Sequence, residues 1–437
     1  MHGMTEAALN EFVAATAERF GIPGAAAGVL TDDREYYAAY GVTSTDNPLP
    51  VDRDTLFLLG SVTKTYTATA LLELVDPADP VTRYLPDADL PGVTVRHLLN
   101  HTAGLDWGLI DDFGEGDDAL ARYAAATGGL VRIAAPGVRA SYSQAGYNLA
   151  GRIIEVVTGQ TYEDAVRSLL LEPLGLAHSF FARDEVMTRR FSVGHNRAPD
   201  GSLSIARLWR RSRGDNPGGG LASSVSDQLK WARFHLGSGD SRMREPTVRL
   251  RGSSLGDAIG LGWFLRDVGG VRLAGHGGSA NGQFTDLLTV PSRGFAVVSM
   301  ANAGPDGIPF NQAVLRWALR EYVGVDDRDP SPLPFDAARA ADLTGRYEND
   351  VMTLTIADTG AGLRLEVLMK PEIRAASDRE LPPDHAPFDF GLLPEDEYVI
   401  TGGAFQGQRG YFTRDDAGAV TGVDLAGRLF GRARVGR

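Results

Sequence analysis

The chain has 437 residues, 43% apolar and 23% charged, enough apolar material for a large core and a second domain. A formal charge of -13, a pI near 5.1 and the lack of a basic cluster exclude nucleic acid and anionic membranes as expected partners, leaving small molecules or peptides. There is no cysteine, which removes disulfides, thiolate zinc sites and a cysteine nucleophile together.

The first residues, MHGMTEAALNEFVAATAERFGIPG, form an amphipathic helix pattern without the basic start or unbroken apolar run of a signal peptide. No later stretch reaches the roughly 20 apolar residues of a membrane span. The expectation is a soluble, cytoplasmic protein. Residues Ala25 to Val42 predict two strands joined by a polar turn, and VTRYLPDADLPGVTVRHLLNHTAGL predicts a loop running into a short helix. Helical periodicity covers Ser143 to Gly159 and Ser224 to Leu236. Strands are predicted over Gly260 to Val268, Val271 to Ala274, Phe284 to Val290 and Phe295 to Ala301, then a helix over Asn311 to Val323. An antiparallel sheet flanked by the first and last helices, beside a helical region, is the simplest α+β arrangement.

The texture changes at Asp326 to Gly345, DDRDPSPLPFDAARAADLTG, which is proline-rich and polar. Beyond it, short alternating runs are split by ADTGAG, TGG and RDDAGAV, the signature of a small antiparallel barrel or sandwich. The predicted division is a main domain over 1–328, a linker over 329–340 and a barrel over 341–437. The barrel carries TGRYEN, FDFGLLP and GRLFGRAR, aromatic and arginine-rich pieces suited to lining a cleft.

Only three of the 43 basic residues are lysines, and Lys64 alone among them has a serine three residues upstream, in GSVTKT. On a helix that spacing puts Ser61 and Lys64 on one face, one turn apart. A serine hydroxyl attacks carbonyls only if something takes its proton, and Lys64 can do so only when neutral. Burial and neighbouring positive charge would lower its pKa, while a helix N-terminus just after Gly60 would favour the developing alkoxide. The pair alone leaves open that Ser61 caps a helix and Lys64 is solvated. Two later stretches bear on that choice: SYSQAGYN puts Tyr142 just before a helix, and AGHGGSANG puts His276 among glycines beside a strand.

In this order the three elements resemble the motif set of the serine β-lactamase and penicillin-binding-protein superfamily. IPGAAAGVL, DTLFLLGSVTKTYTATALLEL, VRHLLNHTAGL, YNLAGRIIEVVTG, LEPLGL and GGGLASSVSDQLKWARFHLG extend the resemblance to its class C-type branch, over about Thr5 to Val325. That branch includes class C β-lactamases, D-aminopeptidases, D-alanyl-D-alanine carboxypeptidases, family VIII esterases and penicillin-binding-protein-type thioesterases. The resemblance implies a β-lactamase/transpeptidase-like fold with a helical subdomain, followed by a lipocalin-like barrel beside the active site. It further implies Ser61 as nucleophile, Lys64 as its proton partner, and Tyr142 as a general acid/base. His276 stands where β-lactamases carry lysine. The backbone N–H groups of Ser61 and Ser279 would form the oxyanion hole, and Gly277 and Gly278 would let substrate backbone lie along the strand edge. No cofactor or metal is implied, since His97 and His101 belong to a structural signature without a third ligand.

Three departures matter. Gln144 replaces the usual asparagine, one methylene longer, and can still bond a substrate carbonyl or Lys64. His276 removes a permanent cation that would hold a β-lactam carboxylate, which disfavours β-lactamase activity. The stretches ALLELVDPADPVTRYLPD and HLGSGDSRMREPTV are shorter than is usual for the family. The expected activity is hydrolysis or acyl transfer on a small ester or amide, with a D-residue at the acyl position. Alternatives are a family VIII-type carboxylesterase, a penicillin-binding-protein-type thioesterase or cyclase, and a catalytically silent ligand-binding relative. The intact set of Ser61, Lys64 and Tyr142 favours an enzyme. Oligomeric state is open.

Overall fold

The computed structural model describes residues 5–108, 112–198, 200–209, 212–376 and 384–433. Helix α1 (Glu6–Phe20) begins at Thr5, whose side chain accepts from the Ala8 N–H, and ends at Gly21 in the left-handed region with φ 63°. Its buried Leu9, Val13, Thr16 and Ala17 make one stripe. The stripe packs on a sheet of eight strands: β1 (Gly24–Thr31), β2 (Arg34–Gly41), β3 (Val248–Ser253), β4 (Gly256–Ile259), β5 (Phe264–Val268), β6 (Val271–Ala280), β7 (Gln283–Val290) and β8 (Phe295–Ala301). Their spatial order is β2-β1-β8-β7-β6-β5-β4-β3, with every pairing antiparallel.

The longer helices that follow in this part are α2 (Thr63–Leu74), α3 (Gln144–Thr158), α4 (Val225–Leu236) and α5 (Gly307–Ala318). One core joins α1 and α5 to the outer sheet face through Leu9, Val13, Val29, Val297, Phe310 and Val314. The other face packs on α4, with α2 and α3 behind it, through Tyr66, Leu71, Ile153, Trp231, Leu287 and Val298. Strands β1 and β8 are covered on both sides, so AAAGVL and FAVVSMA read as unbroken apolar runs rather than alternations. Gly28 lets α4 lie against β1, since a Cβ there would sit 2.6 Å from Val225 Cγ1.

The flanking helices and the sheet are as expected, and four elements differ from the sequence reading. The strand expected to stop at Ala274 runs on to Ala280, because backbone pairing with β7 holds Gly277 and Gly278 extended although glycine has no strand propensity. Strands β3 and β4 were not anticipated. The helix expected over Asn311 to Val323 starts earlier, and its last five residues form a π turn that closes on Gly324 with φ 74°.

The C-terminal part is a closed antiparallel barrel of β9 (Gly345–Glu348), β10 (Met352–Asp358), β11 (Leu363–Met369), β12 (Phe388–Leu392), β13 (Glu397–Ile400), β14 (Arg409–Arg414), β15 (Val420–Leu425) and β16 (Arg428–Arg432), the first pairing with the last. Its centre is filled by Tyr347, Leu354, Phe388, Phe390, Tyr398, Phe412 and Phe430. The stretch read as linker ends inside a helix, α6 (Ala337–Leu343), where Asp336 accepts from the Ala338 and Arg339 N–H groups. Ala340 and Leu343 of α6 are buried in the barrel core, so the tail of that linker is barrel structure. The β3–β4 hairpin abuts the barrel, with the Ser254 N–H donating to the Arg409 carbonyl at 3.0 Å. Among the described residues no helix is long and apolar enough to cross a membrane.

Candidate active site

Ser61 sits in a tight turn, Gly60–Val62, that leads into α2. Gly60 has φ 52°, and a Cβ there would lie 2.6 Å from the Ser279 nitrogen; one at Gly278 would lie 2.1 Å from the Leu59 carbonyl oxygen. Only glycines let this turn touch β6, and the contact brings the backbone of Ser61 beside that of Ser279. Strand β6 pairs with β7 as far as Ala280 but with β5 only as far as Gly275. From His276 onward its β5 side is therefore an open edge, against which an extended chain can lie.

Lys64 is fully buried one helical turn from Ser61. Its Nζ lies 3.2 Å from Ser61 Oγ, 2.8 Å from Gln144 Oε1 and 2.6 Å from the Gly218 carbonyl oxygen. Two of these partners can only accept, and the third is a hydroxyl that can donate. An ammonium could donate to all three; a neutral amine, which burial favours, gives its two hydrogens to Gln144 and Gly218 and receives the Ser61 proton on its lone pair. Burial, aided by the Arg428 charge and opposed by Asp215, holds the Lys64 pKa well below the ordinary lysine range. The rings of Tyr142 and Tyr147 lie 4.9 and 5.4 Å from Nζ, closing the amine in.

Gln144 opens α3, and the Trp107 carbonyl takes the Gln144 N–H (2.7 Å) and the Ala145 N–H (3.2 Å), donors that a helix start leaves free. The extra methylene is accommodated by a glycine: a Cβ at Gly218 would lie 1.6 Å from Gln144 Nε2. Gln144 thus accepts from Lys64 while its amide nitrogen faces the NPGGG turn.

Tyr142 lies in an extended segment just before α3 and is 7% exposed. Three successive N–H groups anchor it. Those of Ser141 and Ser143 go to the His101 carbonyl (2.9 Å) and His101 Nδ1 (3.1 Å), whereas that of Tyr142 goes to the Gly427 carbonyl (2.8 Å) on the barrel. Burial pushes the phenol up to about 12, and its bond with Ser61 works the other way. His276, 4% exposed, has Nδ1 2.7 Å from the Gly277 carbonyl, so Nδ1 carries the proton and Nε2 is left buried with no partner among the described residues. Burial, with Lys64 nearby, drops its pKa to about 3. His276 is a neutral acceptor, not a substitute cation.

The structure brings Ser61, Lys64, Tyr142, Gln144, His276, Gly277, Gly278 and Ser279 to one place. His97 and His101 serve separate backbone donors instead, His97 Nδ1 accepting from the Thr94 N–H at 3.1 Å. The sequence reading missed Gly218 as the third partner of Lys64 and, above all, Arg428. The tight turn between β15 and β16 carries Arg428 into the site, its guanidinium 3.8 Å from the Trp107 ring centre and 4.7 Å from that of Tyr142. Its Nε is buried with no hydrogen-bond partner among the described residues. The segment GRLFGRAR signalled an arginine-rich cleft lining without marking which arginine enters. Arg428 brings a positive charge from the barrel to the Tyr142 side of the site.

The family model described as Beta-lactamase matches residues 9–319. Penicillin-binding protein 4 of Amycolatopsis lactamdurans is 32% identical over 363 residues, covering 75% of this chain and 94% of that protein. Unguisins hydrolase ungD' of Aspergillus campestris is 26% identical over 324 residues, 67% of this chain and 60% of the relative, so the chain spans well under two thirds of that protein. The crystal structure of SurE with D-Leu superimposes with a TM-score of 0.74 at 26% identity, covering 98% of this chain and 99% of that one.

Proposed function

The chain belongs to the beta-lactamase family, and from that premise we propose that it is a serine hydrolase or acyltransferase that works through an acyl-Ser61 intermediate on a peptide-like ester or amide. The observation that carries this reading is the contact of a fully buried Lys64 Nζ with the Ser61 hydroxyl, in surroundings that disfavour its charged form. Ser61 Oγ attacks the substrate carbonyl carbon as its proton passes to Lys64. The oxyanion that forms is met by the Ser61 and Ser279 N–H groups, a device that typically contributes about 3 kcal/mol per donor. Lys64 in its charged form is disfavoured by burial and by Arg428, so it passes the proton on, with Tyr142 delivering it to the leaving group. Water or an amine then takes the acyl group from Ser61.

The Arg428 guanidinium, whose Nε has no hydrogen-bond partner among the described residues, suits a carboxylate at one end of the substrate. A D-configured residue there or at the acyl position agrees with the D-Leu of the SurE structure. One preparation assayed on p-nitrophenyl esters, D- and L-amino acid p-nitroanilides, peptidyl thioesters and nitrocefin ranks the substrate classes. Nitrocefin belongs in that panel because it tests the charge argument against β-lactams that the neutral His276 makes. A fluorophosphonate is expected to add one phosphonyl group at Ser61, and Ser61→Ala to abolish both labelling and turnover. Labelling of another serine would sink the reading.

A further inference from the structure

We infer that His101 is a positioning residue for Tyr142, resting on the reading that Tyr142 takes part in acylation of Ser61. Ser143 is extended, with φ -125° and ψ 130°, and the Tyr142 N–H goes to a different partner from those of its two neighbours. Both neighbouring N–H groups end on His101, one on its carbonyl at 2.9 Å and one on ring Nδ1 at 3.1 Å. A backbone N–H can only donate, so Nδ1 must be unprotonated and the ring hydrogen must sit on Nε2. The same ring lies 4.4 Å from the Tyr142 ring, tilted by 32°, and 5.3 Å from that of Tyr147. One side chain thus fixes the backbone after Tyr142 and one face of its phenol.

The backbone of His101 is itself unusual. Its φ is 60°, in the region that non-glycine residues seldom enter, and it is 3% exposed. That conformation turns both the carbonyl and the ring toward the 141–143 segment, so the strain has a use. Burial, with Lys64, His276 and Arg428 nearby, keeps the imidazole neutral, as the Ser143 bond demands. A protonated ring would lose that bond and release the segment on its His101 side. The barrel would then hold Tyr142 alone, through Gly427.

Two substitutions separate the parts of this role. Asparagine tolerates positive φ and places Oδ1 near the position of Nδ1, so His101→Asn keeps the acceptor and loses the ring. His101→Phe keeps a ring and loses the acceptor. The rate of fluorophosphonate labelling of Ser61 reads acylation without requiring the natural substrate; an unlabelled wild type would refute the earlier reading, not this one. We expect His101→Phe to slow labelling about 30-fold and His101→Asn about threefold, since small misplacements of a catalytic group are costly. In a Tyr142→Phe background His101→Phe should cost less than about threefold, because a residue acting through Tyr142 has nothing left to position. Equal loss in both backgrounds, or wild-type labelling by His101→Phe, overturns the inference. If that variant does not fold, nitrogen-15 NMR of histidine-labelled wild type decides: the proton must sit on Nε2 at neutral pH, and a proton on Nδ1 overturns it.

Discussion

The main domain and the barrel contribute to one site by different routes. In the main domain Ser61 and Lys64 meet because a helix repeats every 3.6 residues, so three positions in sequence already fix their approach. In the barrel Arg428 meets Tyr142 only because eight strands close and then dock, and no local pattern dictates which side chain arrives. The first region holds groups that change protonation; the second presents a fixed charge and one backbone carbonyl. Proton transfer needs short, repeatable distances, which local structure secures. Substrate choice tolerates a group brought from afar.

The sharpest way to break this division is at Lys64. Lys64→Arg puts a permanent cation in place of a neutral amine and cannot take a proton at working pH, and should lower turnover about 1,000-fold with the fold retained by circular dichroism. Wild-type-like rates would place the base elsewhere. Next in size is Arg428→Ala, which should lower kcat/KM for substrates with a free carboxylate about tenfold to hundredfold, the usual worth of a charge-assisted bond. Neutral p-nitrophenyl esters should stay within about threefold, less than one such bond. If they fall as far as the acids, the barrel arginine takes part in acylation and the two regions do not divide the work.

The smallest effect sharpens the contact between the regions. Asp106, the residue before Trp107, faces Asp350 of the barrel, and each has a buried oxygen without a partner among the described residues. Burial, and then Asp106, push the Asp350 carboxyl up to about 7, while an unfolded aspartate titrates near about 4. Stability from this group is therefore complete below about pH 4 and is lost as pH rises through about 7. Asp350→Asn, which mimics the protonated form, should raise Tm by about 2–4 °C at pH 8 and leave it unchanged at pH 4. A loss of Tm at pH 8 would mean that the ionised pair stabilises the contact.

Much of the main domain was legible because its signals are local. The cap and stripe of α1, the apolar runs of β1 and β8, and the Ser61–Lys64 spacing all lie within single elements. Tyr142 and His276 were legible through motif order rather than through any physical rule. Strand β6 was cut short at Ala274 because glycines carry no strand propensity, and it is their lack of a side chain that admits the Ser61 turn. Gly218, His101 and Arg428 were not legible in their observed roles. Each acts on a residue distant in sequence, and nothing in the neighbouring residues encodes the partner. Gln144, which departed from the family pattern, found its room in Gly218, again across a long separation.

The Gly427 carbonyl that takes the Tyr142 N–H has a consequence for the order of folding. It lies in the turn between the final two strands of the barrel, and that barrel closes only when β16 pairs with β9. Pairings between distant parts of a chain form late, since loop-closure entropy opposes them until neighbouring contacts exist. The tyrosine can therefore reach its anchored position only after the barrel has shut, and a main domain already packed around Ser61 and Lys64 would still await it. Recovery of activity during refolding should then lag behind recovery of the helical signal, with barrel closure acting as the switch that turns a folded domain into a working one.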